Sequence, residues 1–152
     1  MRWIDALAGA AASASLAALL GCTTPPTSEQ AREEAAAMLE QAAAAVASGL
    51  VVSERSDRDE IVDCAWLPGW PTSERAWEMW RRYELGGGDR GARVQRLLDF
   101  AASRKGRVIY HQDDPRGGRG ARVDIDGLDV FATATQQLEV KVRSRCFVAK
   151  SP

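Results

Sequence analysis

From Leu138 to Val148 every second position is apolar or small: Leu138, Val140, Val142, Ser144, Cys146 and Val148, with Glu139, Lys141, Arg143 and Arg145 between them. A period of two is the mark of a strand with one face in an apolar core and the other in water. Upstream, Asp126-Gly127 separates Ala121–Ile125 from Leu128–Ala134. An Asp-Gly pair between apolar runs is a strong signal for a tight hairpin. Val108–Gln112 reads as a further strand and Asp114–Gly120 as the loop after it. The last third is therefore a β-meander, and a sheet with one apolar face needs a layer to cover that face.

Two amphipathic segments can supply the cover. The first runs near Glu29–Ser48, with Ala31, Ala35, Met38, Leu39, Ala42 and Val46 on one stripe. Thr27 and Gln30 have capping-box spacing, and Gly49 suits the far end. The second begins at Asp89, a natural N-cap, turns Val94, Leu97, Leu98 and Ala101 inward, and ends near Gly106. Strand-like segments at 50–54 and 60–66 and a Pro-Gly-Trp-Pro turn at 68–71 lie between the two helices. Residues 75–85 fit a strand through Trp77, Met79, Arg81, Tyr83 and Leu85, or a helix through Ala76, Trp80 and Tyr83; the β-prone aromatics favour the strand. The expected class is α+β, two helices packed on an antiparallel sheet with a C-terminal β-meander.

The amino-terminal part has another purpose. Ala6–Gly21 is free of charge and too short for the ~20 residues that span a bilayer. It follows Arg2 and ends in Leu19-Leu20-Gly21-Cys22. That ending resembles the lipobox of bacterial lipoproteins. The resemblance implies a signal peptide over 1–21, a diacylglyceryl group on the Cys22 sulfur, cleavage before Cys22 and often acylation of the new amine. More than one acyl chain makes a stable anchor. Residues 22–28 would then be a short extended tether, at most about 20 Å long, and 29–150 one globular domain. The implied place is the extracytoplasmic face of the cell membrane. Arginine and alanine are abundant while lysine is confined to Lys105, Lys141 and Lys150, and the chain closes on Arg143-Ser-Arg-Cys-Phe147. Residues 89–148 thus resemble small uncharacterised lipoproteins of actinobacterial type, a likeness that brings no catalytic residues with it.

The cysteine count agrees with that place. With Cys22 assigned to lipid, Cys64 and Cys146 are left for an oxidising compartment, where a bridge is expected. Val62, Cys64 and Trp66 share one face of their segment, and Cys146 lies on the apolar face of its own, so both thiols are expected on the apolar side. Two buried free thiols are the alternative. A zinc site falls short of four ligands.

Chemistry-bearing residues are sparse. His111 is the one histidine, near Asp113 and Asp114, and is a candidate general base or a plain solvated side chain. Asp124, Asp126 and Asp129 echo a calcium loop but lack the further ligands of an EF-hand. The familiar nucleophile, zinc-protease and redox motifs are absent, and neither a cofactor nor a metal is expected. Arg90, Arg93 and Arg96 form a row expected to face solvent. A net charge of −1 offers no global field for nucleic acid. Trp66, Trp70, Trp77 and Trp80 are the unusual cluster, either core anchors or a surface for stacking sugar rings and peptides. Trp70, Trp77 and Trp80 are the candidate binding surface. The expected role is a non-enzymatic envelope module binding a protein, a glycan or a small ligand; a hydrolase using His111 is the alternative.

Overall fold

The computed structural model describes residues 24–50, 55–64, 72–85, 89–114 and 118–149. Cys22, the segment at 51–54, Trp66, Trp70 and the turn at 68–71 lie outside them. The elements are α1 Ser28–Ala47, β1 Arg55–Asp63, β2 Glu74–Glu84, α2 Arg90–Ser103, β3 Arg107–Asp114, β4 Gly118–Ile125, β5 Leu128–Ala134, β6 Gln137–Arg143 and β7 Phe147–Val148. The strands form one antiparallel sheet in the order β1-β2-β6-β5-β4-β3, and β7 pairs with β2. Both helices cover the same face, so the fold is α+β as the patterning implies.

Each helix follows from local sequence. At α1 the Thr27 hydroxyl accepts from the Gln30 N–H at 3.2 Å, and the Gln30 side chain accepts from the Thr27 N–H at 3.0 Å. The buried stripe of α1 is rich in alanine, with Ala31, Ala35, Ala42 and Ala43 fully covered. Small side chains let the helix lie close to the sheet. Asp89 caps α2 by accepting from the N–H groups of Gly91 and Ala92. Val94, Leu97 and Ala101 of α2 are buried in the same core as the α1 stripe, and Leu98 is partly buried against it.

The arginine row of α2 faces solvent at Arg90 and Arg96, is half-buried at Arg93, and also reaches α1. α1 has no basic residue in its last turn. Arg93 donates to the carbonyl oxygens of Val46 and Ser48, and Arg96 donates to that of Ser48. The second helix thus supplies the positive charge that the C-terminal end of the first one lacks. Burial lowers the pKa of Arg93, and the charge of Arg96 lowers it further. Arg90 is exposed.

The meander is built as its turn dictates. Asp126 and Gly127 both have positive φ, 56° and 80°, the conformation that a two-residue hairpin of this hand requires. Leu128, Val130, Ala132 and Ala134 of β5 are buried beside Ala121, Val123 and Ile125 of β4 and Leu138, Val140 and Val142 of β6. Residues 74–84 are a strand, paired on one edge with β1 and on the other with β6 and β7.

The closing strand is interrupted, contrary to its alternation. β6 stops at Arg143. Ser144 donates its N–H to the Trp77 carbonyl at 2.8 Å, and its hydroxyl accepts from the Trp77 N–H at 2.9 Å. The side chain thereby takes over part of the ladder, and the phase of the chain shifts. Phe147 is buried, whereas Cys146 is exposed and Val148 is 56 % exposed. The expectation that both thiols face the apolar side is therefore corrected: Cys146 is exposed and Cys64 half-buried. They are nevertheless bonded, with Cα atoms 6.2 Å apart, because the end of β1 and the start of β7 both abut the start of β2.

The end of α2 yields a prediction. Gly106 donates to the Ala101 carbonyl and Lys105 to that of Ala102, which closes the helix. The left-handed residue is Lys105, with φ 57°, not the glycine. Gly106 is instead needed for space, since a Cβ there would lie 2.9 Å from both the Asp124 carbonyl oxygen and the Ile125 side chain. Lys105→Gly is expected to raise stability by up to about 1 kcal/mol, and Gly106→Ala to lower it by about 1–3 kcal/mol. Urea melts of the two variants check the opposite signs.

Candidate functional site

The described tryptophans do not share a surface. Trp77 points to the helix side of β2. Its indole N–H donates to the Ser28 carbonyl at 3.0 Å, and the Arg32 guanidinium lies 5.3 Å from its ring centre. It is a strut between β2 and the start of α1. Trp80 points to the opposite face and is 8 % exposed. His111 is exposed on the edge strand β3, and nearby Asp113 is paired with Arg119 at 2.6 Å. Asp124 and Asp129 sit opposite each other across β4 and β5, as the hairpin implies. Asp129 is taken by Arg122 through two hydrogen bonds of 3.0 and 2.7 Å. Among the described residues no group of three metal-ligating side chains occurs. No helix there is long and apolar enough to cross a membrane.

The sheet face away from the helices carries an ordered arrangement instead. Strand register places Arg58, Trp80, Lys141, Phe131, Arg122 and Tyr110 in one row across β1, β2, β6, β5, β4 and β3. Cations and aromatic rings alternate along it. Arg58 lies 5.1 Å from the Trp80 ring centre, Lys141 4.7 Å and Arg122 5.2 Å from that of Phe131. Phe131 is thus held between two cations, a favourable contact for the electron-rich face of a ring.

The neighbouring rows supply carboxylates. Glu78, Asp129 and Asp124 lie on one side and Glu139 on the other. Lys141 meets Glu78 at 3.3 Å, Arg122 meets Asp129 and Arg82 meets Glu139. The hydrogen bond from Arg122 to Asp129 raises the arginine pKa, outweighing burial. The face is therefore close to neutral, with Tyr110 exposed, Phe131 half-buried between its two cations and Trp80 buried beneath Arg58. Such a face suits stacking against a planar or ring-shaped group more than drawing in a polyion.

Sequence reading missed Phe131, Lys141 and Arg122 as partners. The Asp126-Gly127 turn alone fixes Arg122 opposite Phe131, so that pair was within reach. The approach of Trp80 to Lys141 depends on β2 meeting β6, which no local signal announces.

A second feature lies on the helix side. A cleft of about 280 Å³ opens between α1 and the β1–β2 hairpin. Ala36, Leu39 and Met79 give it apolar walls, and Glu40, Asp57 and Asp59 give it carboxylates. Arg81, one of two buried polar residues of the core among those described, reaches into this region from β2. It donates to Glu40 through both terminal nitrogens and to Asp57 through Nε at 3.0 Å. The hydrogen bond to Glu40 raises the arginine pKa most; burial opposes it, and Asp57 adds to the rise. Asp59 is paired with Arg32 at 2.8 Å. The cleft is thus lined by charges that are matched within the fold.

Comparison with models of known protein families, with curated proteins and with solved structures finds no match to this chain.

The Arg81 cluster makes an asymmetric prediction. Its side chain is 8 % exposed, while Glu40 and Asp57 are 65 % and 48 % exposed and can regain water. Arg81→Met keeps the chain length and removes the buried charge, so it is expected to change stability by less than about 1 kcal/mol. Glu40→Ala strips the buried guanidinium of its bidentate partner and is expected to cost about 1–3 kcal/mol. Denaturant melts rank the two; a larger loss in the methionine variant would contradict this account.

Proposed function

We propose that this chain is a lipid-anchored protein of the extracytoplasmic membrane face, and that its domain is a non-enzymatic binding module for an envelope protein, a glycan or a small ligand. Three features support the reading. Leu19-Leu20-Gly21-Cys22 matches a lipidation site, and only a few residues separate Cys22 from the start of α1. The Cys64–Cys146 bridge suits an oxidising compartment. The observation that carries the binding role is the sheet face opposite the helices, where Phe131 lies between Lys141 and Arg122. The exposed Tyr110 and the half-buried Phe131, flanked by charges on a sheet, offer contact area without a loop to order on binding. The cleft beside α1, about 280 Å³, lies just under the usual range of small-ligand sites and has matched charges around it.

Two measurements test the two halves of the proposal. Membrane protein extracted with a phase-separating detergent should enter the detergent phase, and Cys22→Ser should move it to the aqueous phase. A wild-type chain in the aqueous phase with an unmodified Cys22 thiol removes the anchor. For the binding role, cell-wall glycan sedimented with the wild-type chain should retain it, and Phe131→Ala should lower retention several-fold while leaving the melting midpoint within a few degrees. Retention that is unaffected by Phe131→Ala removes this face as the site.

A further inference from the structure

The two edges of the sheet are finished differently. β1 forms one edge and carries Asp57, Arg58, Asp59, Glu60 and Asp63. Charges of this density keep a free edge from pairing with another chain. One large apolar residue, Ile61, is exposed there. β3 forms the other edge, and its exposed residues include Val108, Ile109 and Tyr110 in succession, at 51 %, 42 % and 48 % exposure. A bulge between Val108 and Tyr110 leaves Ile109 without a partner in the ladder to β4. A run of three exposed apolar residues on an open edge is what natural sheets ordinarily avoid.

The ends of β3 differ in charge. Lys105 and Arg107 stand at its start, and Asp113 and Asp114 close it. Arg107 has no ion-pair partner among the described residues, while Asp113 is held by Arg119 from β4. A second β3 laid antiparallel sets each basic end beside an acidic end. A parallel neighbour sets like charges together. The strand is therefore complementary to itself in one orientation, the condition for an isologous contact between identical chains.

We propose that two copies of the chain pair through β3, antiparallel about a two-fold axis near Ile109–Tyr110, so that one sheet runs through both. Main-chain hydrogen bonds hold such an edge, and the apolar triplet is covered on pairing. With the axis normal to the sheet, the helices of both copies lie on one side and the cation–aromatic rows of both lie on the other.

The test uses the exported full chain carrying Cys22→Ser, which retains the Cys64–Cys146 bridge. Sedimentation equilibrium at high micromolar concentration should give the mass of two copies. Ile109→Lys should halve that mass with little change in melting midpoint, and Ile61→Lys on the opposite edge should leave it intact. In the same background, Tyr110→Cys should be captured as a covalent dimer by a short bis-maleimide, and Ile61→Cys should not. A single-copy mass with the unaltered edge overturns the proposal and leaves the edge to a strand of some other protein. A dimer that survives Ile109→Lys, or that fails on Ile61→Lys, overturns it as well.

Discussion

The pairing of β2 with β6 holds the structure together. β2 arrives early in the chain as half of a hairpin, and β6 arrives late as the end of a meander. Their ladder from Glu78–Arg143 to Glu84–Gln137 is what makes one sheet of two pieces. Closing so long a segment costs chain entropy before any contact repays it. Two devices lower that cost near the same place. The Cys64–Cys146 bridge spans a separation of 82 residues, worth about 4.5 kcal/mol in the chain-entropy account. β7 adds a second contact of the chain's end with the start of β2. Arg145 then ties this end to α1 through two-pronged hydrogen bonds to Glu34 at 2.7–3.1 Å.

β2 also decides which face is which. Trp77, Met79, Arg81 and Tyr83 point to the helices, and Glu78, Trp80 and Arg82 point away. A slip by one residue would exchange the two sets. Arg81 resists such a slip, because its guanidinium fits only where Glu40 of α1 and Asp57 of β1 converge. Trp77 acts likewise about three turns of α1 further back, through its hydrogen bond to Ser28. Neither contact need add much net stability, since burying the charge offsets much of what the ion pairs return. What they add is a single register and a single seat for α1.

Much of this was legible where the determinants are local. The capping box at Thr27–Gln30, the Asp89 cap, the Asp126-Gly127 hairpin and the apolar phases of both helices, β4, β5 and most of β6 are all short-range, and they hold in the structure. Legibility ended where a distant group intervened. Alternation alone carried the closing strand through to Val148, but Ser144 found the backbone of Trp77 and changed its phase. The disulfide was expected from compartment and count, yet its surroundings depend on that same phase shift. Arg93 and Arg96 are part of a hydrophilic row as read, but their contacts with the bare end of α1 were out of reach, because nothing nearby in sequence reveals that end. The outer row of rings and cations was half visible, as alternating positions on each strand; which strands lie side by side was not.

The division of labour between the two faces bears on function. Fully burying a side chain such as Val94, Leu97, Val130 or Val140 contributes about 1.5–3 kcal/mol, and the helix side holds many of them. On the other face the contacts are ion pairs such as Arg82–Glu139 and Arg122–Asp129, with side chains 23–48 % exposed. Pairs of that kind contribute roughly 0–1 kcal/mol each, and a ring with a cation over it adds a similar amount at exposed sites. Stability therefore resides almost wholly on one side of the sheet. Ala76 and Trp80, buried on the far side of β2, are the exceptions and join the cost of folding to that face. Elsewhere the outer residues can change partner or composition with little consequence for the fold, which is the freedom a recognition surface requires.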